Sequence, residues 1–161
     1  MAAKPIKTNA MRMLDKAKIP FEAIEYTVDE NDLSGTRIAD SVGLPYHTVF
    51  KTLVARGNKT GPVVFCIPVD KEIDLKKAAR ATNNKQVELL AVKELLPLTG
   101  YVRGGCSPIG MKKQFPTFFD ASAMQSEKIT VSAGIKGCQL LICRNTLIEF
   151  VNATICDLCK E

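Results

Sequence analysis

Two runs rich in β-branched and aromatic residues, 49–56 and 63–69, are separated only by a short connection centred on Gly-Asn-Lys-Thr-Gly (57–61). So short a link, with a glycine at each end, predicts an antiparallel hairpin and places that hairpin at the centre of a sheet. Alternation in the first run sets Phe50, Thr52 and Val54 on one face and Lys51, Leu53 and Ala55 on the other. A lysine inside an otherwise apolar strand is either solvated at a sheet edge or held at a cleft, where its ammonium meets a phosphate or a carbonyl oxygen.

The rest of the chain interleaves helices and strands around that hairpin. Ala10, Met13, Leu14 and Ala17 recur at helical spacing, which predicts a helix over 8–18 that Pro20 stops. A strand over 21–28 follows, then a polar turn over 29–35. Ser34 is placed to cap a helix running to Val42, and Gly43 to close it. Further on, the pattern predicts a helix over 74–82, a strand over 87–89 and a helix over 91–96 ended by Pro97. Strands near Phe118, over 129–132 and over 139–143 come next, then a helix over 145–151 and a strand over 153–155. The chain has 161 residues, about one domain's worth at roughly 150 residues each. The expected class is therefore a mixed α/β (α+β) domain spanning 1–161.

Composition removes several functions. No apolar run approaches the roughly 18–20 residues of a membrane span, and the opening MAAKPIKTNAMRML has no basic segment leading into an apolar one. A cytoplasmic protein without a membrane partner is expected. A formal charge of +5 permits nucleic acid as a partner without requiring it. The chain has one histidine, His47, so a triad would have to run through it and a site with three histidine ligands cannot be built. Its six cysteines, in a cytoplasmic chain, read as free thiols.

Four features could carry chemistry. Gly104-Gly105-Cys106-Ser107-Pro108-Ile109-Gly110 is either a structural turn or an oxyanion or phosphate cradle, since glycines let backbone N–H groups approach an anion. It matches neither a P-loop nor a dinucleotide fingerprint. Lys51, with Lys59 and other cations, is the second. The third is the loop Ala133-Gly134-Ile135-Lys136-Gly137 after Ser132, either a plain hairpin connection or a phosphate-facing loop. The last is Cys156-x-x-Cys159 with Cys138 and Cys143, which has the count of a zinc site. Its position at the chain end, and the opposed faces of residues 138 and 143, argue against metal or redox work.

In order along nearly the whole chain, five segments resemble the YbaK/EbsC family of aminoacyl-tRNA deacylases. They are Lys18-Ile19-Pro20-Phe21 with Tyr26, Val49-Phe50-Lys51-Thr52-Leu53, Ile73-Asp74-Leu75-Lys76-Lys77, Thr99-Gly100-Tyr101 with the glycine loop, and Val131-Ser132-Ala133-Gly134 with Gly137. Within the family the chain looks most like the free-standing Cys-tRNA(Pro) deacylases, relatives of the editing domain of some prolyl-tRNA synthetases. The resemblance implies a mostly antiparallel, barrel-like mixed sheet flanked by helices. It also implies hydrolysis of the ester on mischarged tRNA(Pro), with no metal and no cofactor.

By the same resemblance Lys51, Gly104 and Gly105 carry catalysis. Tyr26, Leu33, Thr52, Ser107, Pro108, Gly110, Ser132, Gly134 and Gln139 bind substrate. For cysteinyl substrates the substrate's own thiol is the implied nucleophile. The implied partners are the aminoacylated 3′ end of tRNA and, as a second candidate, prolyl-tRNA synthetase. Two departures bear on the substrate. Gln139 stands where cysteine-specific members carry an aspartate, and Asp32-Leu33-Ser34-Gly35 lacks the aromatic of their pocket turn. The amino acid removed, alanine included, is left open by these residues. So is a non-catalytic module that binds aminoacyl-tRNA or a synthetase. A thiol or zinc protein built on Cys156 and Cys159 ranks last.

Overall fold

The computed structural model describes residues 7–161. Residues 1–6, which open the segment read above as lacking a leader, lie outside the described residues. The first helix, α1 (Asn9–Lys16), starts at Thr8, whose hydroxyl accepts from the Met11 N–H at 3.2 Å. Its buried stripe is Ala10, Met11 and Leu14. Met13 and Ala17 are exposed instead of buried, because the helix sits on the core with its face rotated by about one residue. Strand β1 (Glu22–Glu25) is shorter than the span 21–28.

The segment after β1 follows its capping signals closely. Helix α2 (Gly35–Val42) begins at Ser34, whose hydroxyl accepts from the Arg37 N–H, and ends at Gly43 in the left-handed conformation at φ 70°.

Strands β2 (Phe50–Gly57) and β3 (Gly61–Pro68) form the expected hairpin, in register from Phe50 opposite Pro68 to Gly57 opposite Gly61. They are joined by β4 (Val87–Leu89), antiparallel on β2, and by β5 (Thr117–Asp120) and β8 (Thr154–Cys156), parallel on the β3 side. A second, three-stranded antiparallel sheet holds β1, β7 (Cys138–Cys143) and β6 (Lys128–Ser132). The barrel-like sheet is thus two sheets, touching through one parallel bridge between Val49 and Thr130.

Alternation in the hairpin feeds two cores. Phe50, Val54, Val64 and Cys66 pack with Phe119 and the inner face of β6 and β7 (Val131, Leu140). Ala55, Val63, Phe65 and Ile67 face α3 (Leu75–Ala81), through Ala78 and Ala79, and Leu158 near the C-terminus. Each face is hydrophobic because each is covered, which is why β3 reads as an unbroken apolar run.

Helix α4 (Val92–Thr99) does not stop at Pro97 but carries it inside and ends at Gly100, φ 87°. Proline's ring fixes a helical φ and removes a single donor, and the glycine supplies the left-handed residue that closes the helix. Helix α5 (Arg144–Phe150) packs through Leu147.

Candidate active site

Between Val49 and Val54 no strand among the described residues pairs with the outer edge of β2, because the bridge to β6 ends at Val49 and the β4 side begins with the Leu90 N–H on the Val54 carbonyl. The two sheets part there, and the gap is a cavity of about 350 Å³. One wall is β2 itself, with Phe50, Lys51, Thr52 and Leu53. The others come from the α2 entry (Leu33, Ser34, Gly35), from Arg103, Gly104 and Cys106, and from Ser132 and Gln139 at the facing end of the β6–β7 hairpin. The fold therefore brings together Lys51, Thr52, Leu33, Gly104, Ser132 and Gln139, which lie more than 100 residues apart in the chain at the extremes.

Lys51 is half-buried, and desolvation holds its ammonium below the ordinary lysine range, opposed by Glu72, Cys159 and Asp70. Lys59 lies in the β2–β3 turn beyond Gly57, which is about 20 Å along the strand from Lys51 at roughly 3.3 Å per residue. It is not part of the site. Besides Lys51, the cation lining the cavity is Arg103; Lys136 packs behind the wall, its Cγ 3.5 Å from where a Cβ on Gly104 would stand. Lys136 is paired with Glu30 at 3.0 Å.

The glycine loop is fixed in position rather than free to adapt. Gly104 takes φ 87°, in the left-handed region where a side chain is strained. The Gly105 N–H is spent on the Val102 carbonyl at 3.0 Å, and a Cβ there would come within 3.0 Å of the Ile135 and Lys136 backbone. Gly104 and Cys106 make no backbone N–H bond among the described residues. Both residues line the cavity with their N–H groups unspent.

Ser107, fully buried, accepts from the Ile109 N–H at 3.2 Å. Neither it nor Pro108 lines the cavity, nor does Gly110, which closes against the Tyr101 hydroxyl. Ser132 does line it, and its hydroxyl accepts from Gly134 N–H at 3.1 Å, shaping the 133–137 loop. Gly134 belongs to that loop and Tyr26 adjoins it, donating its N–H to the Gly137 carbonyl, and neither lines the cavity.

Gln139 is the sharpest polar feature. It is 3% exposed, lines the cavity, and its Oε1 has no partner among the described residues. Its Oε1 is thereby unspent within the fold and open to a donor that enters the cavity. Cys106 and Cys66 supply thiols beneath the wall, and burial pushes Cys106 up to about 12, so it stays protonated. The Thr52 hydroxyl is 3.7 Å from the Cys66 sulfur.

Arg103 and Ser34 are site residues that pattern reading did not assign, and Cys106 entered it only as a member of the glycine loop. Arg103 adjoins the glycine loop and was detectable as a cation beside it. Ser34 was read only as a helix cap. Among the described residues no three His, Cys, Asp or Glu side chains gather as a metal site would need, and all six cysteines are free. His47 is exposed, outside the cavity.

Residues 34–150 match the family model of the aminoacyl-tRNA editing domain. A curated protein of Enterococcus faecalis, provisionally named Cys-tRNA(Pro)/Cys-tRNA(Cys) deacylase EbsC, is 48% identical over 152 residues, covering 94% of this chain and 93% of that protein. Among solved structures, one provisionally titled a trans-editing enzyme for prolyl-tRNA synthetase superposes with TM-score 0.82 at 21% identity, covering 98% of this chain and all of that one. A hypothetical protein superposes with TM-score 0.83 at 19% identity, covering 92% and 97% of the two chains. At these identities the two structures bear on the fold alone. None of the described helices is long and apolar enough to cross a membrane.

Proposed function

Because the chain belongs to the aminoacyl-tRNA editing domain family, we propose that its cavity hydrolyses the ester of mischarged Cys-tRNA(Pro), and Cys-tRNA(Cys) as well. The observation that carries this reading is the meeting of Lys51, Gly104 and the unpartnered Gln139 in one small cavity between the sheets. An aminoacyl ester is already activated, so the protein must orient a nucleophile and stabilise a developing oxyanion. The Gly104 and Cys106 N–H groups supply donors, Gly105 acts by holding Gly104 in place, and Lys51 and Arg103 take the negative charge of the terminal phosphates.

In this reading, as the family resemblance implies, the nucleophile for a cysteinyl ester comes with the substrate. The cysteinyl thiol attacks its own ester carbon, forming S–C and breaking C–O. The thiol proton goes to the departing ribose 3′-oxygen, and water opens the resulting thiolactone to free cysteine. Leu33, Thr52 and Ser132 bound the side-chain space, while Tyr26, Ser107, Pro108, Gly110 and Gly134 hold its walls. The chain works as one editing unit in the cytoplasm, on the 3′ end of charged tRNA, with prolyl-tRNA synthetase as a second partner.

The test is a deacylation panel with purified tRNA(Pro) charged with cysteine, alanine or serine, and Cys-tRNA(Cys). Cysteinyl esters should be cleaved fastest. Cleavage of none of them would leave a binding module.

A further inference from the structure

The open edge of β2 presents main-chain groups, and their direction is fixed by hydrogen bonds at its two ends. In an antiparallel strand each residue's N–H and C=O point to the same side, and successive residues alternate. The Val49 carbonyl accepts from Val69 N–H at 2.9 Å, on the β3 side, and the Val54 carbonyl accepts from Leu90 N–H at 3.0 Å, on the opposite side. The β2–β3 register is continuous between them. Odd residues therefore face β3, and Thr52 turns both its N–H and its C=O to the open edge, where the cavity lies.

We propose that the substrate's aminoacyl group pairs with Thr52 as a single-residue addition to the edge of β2. The Thr52 N–H donates to the ester carbonyl oxygen and the Thr52 C=O accepts from the α-ammonium. An α-aminoacyl ester carries its nitrogen and carbonyl in the relation of one strand residue, so it makes the two-bond exchange of an antiparallel pair. The N–H then adds a donor for the oxyanion that the glycine loop, with Gly105 engaged, supplies only in part. The second, independent sign of a ligand at this edge is the Gln139 Oε1 across the cavity, an acceptor placed for the same ammonium.

The pairing also sets handedness. Paired residues project side chains to the same face, so an L-aminoacyl side chain falls on the Thr52 face, with Cys66 and the Cys106 wall. A D-aminoacyl group held by the same two bonds would turn its side chain to the Lys51 face.

This inference rests on the deacylase reading, and the experiment separates the two. Thr52 is replaced by its α-hydroxy analogue, which turns the amide into an ester, removing the N–H and weakening the Lys51 carbonyl as an acceptor towards Ile67 on β3. Ala55, whose N–H faces β3 and which does not line the cavity, receives the same replacement as a control. The Thr52 replacement, which keeps every ladder N–H and only weakens the Lys51 carbonyl, should melt slightly below the wild type but above the Ala55 replacement, and lose about a hundredfold in kcat/KM on Cys-tRNA(Pro). The Ala55 replacement should melt lower and keep its rate per folded molecule. Wild-type protein should cleave L-Cys-tRNA(Pro) at least about tenfold faster than the D-cysteinyl ester, a readout independent of any variant's folding. Activity within about threefold of wild type for the Thr52 replacement, or equal handling of the two enantiomers, overturns the pairing. An inactive wild type overturns the deacylase reading itself.

Discussion

The Tyr101 hydroxyl donates to the carbonyl of Ile109, and the same ring stands 3.0 Å from where a Cβ on Gly134 would be. One buried phenol thus braces both loops that frame the cavity, the glycine loop and the 133–137 connection. Burial pushes its pKa up to about 12, so it remains a donor at any working pH. Tyr101→Phe leaves the Ile109 carbonyl buried and unpaired, which should cost about 1–3 kcal/mol in urea denaturation. It should also lower kcat/KM, because Gly104 moves with the loop.

Gln139→Leu separates a ligand group from a structural one. Removing a buried polar atom that has no partner relieves a desolvation cost, so thermal stability should hold or rise. KM for the charged tRNA should rise severalfold in the same variant. A clear drop in melting temperature would place Gln139 in the fold rather than at the substrate.

Lys51 makes a pH prediction with a definite sign. Burial lowers its pKa in the folded protein relative to an exposed lysine, so deacylation that needs the ammonium should fall with rising pH before the ordinary lysine value of about 10.4 is reached. The unfolded chain holds that proton more tightly. Charged Lys51 therefore costs stability at neutral pH, and the cost is relieved as pH climbs from the folded towards the unfolded value. Lys51→Met should melt at or above the wild-type temperature at pH 7 while losing activity. The pH–rate profile, corrected for spontaneous ester hydrolysis, and thermal melts check both halves.

The hairpin, the α2 caps at Ser34 and Gly43, and most other elements were legible because each depends on neighbours in the chain. The stripe on α1 and the end of α4 were not, since tertiary docking chose Met11 over Met13 and a left-handed Gly100 outlasted Pro97. For the site, residue type pointed to Lys51 and the glycine loop. It could not tell that Gly105 spends its N–H on Val102 while Gly104 faces the cavity, nor that the sheets part beside Thr52. Those facts depend on where β6 leaves β2, which no local pattern encodes. The expected proximity of Lys59 to Lys51 fails for the same reason: hairpin geometry sends the turn to the far end of the strand.

Arg103 lines the cavity and forms no salt bridge among the described residues. If it meets a phosphate near the 3′ end, log(kcat/KM) should fall linearly with log salt. Arg103→Ala should then flatten that slope by about 0.7, the release expected for one phosphate of a single strand. A slope unchanged in the variant removes Arg103 from the tRNA contact.

The most direct measurement is single-turnover hydrolysis of Cys-tRNA(Pro) by the wild-type protein and by Lys51→Ala, with circular dichroism on both. Rapid cleavage by the wild type and a rate near the spontaneous one for a folded Lys51→Ala is the predicted result. A folded Lys51→Ala that turns over at the wild-type rate would contradict the assignment of the chemistry to this cavity.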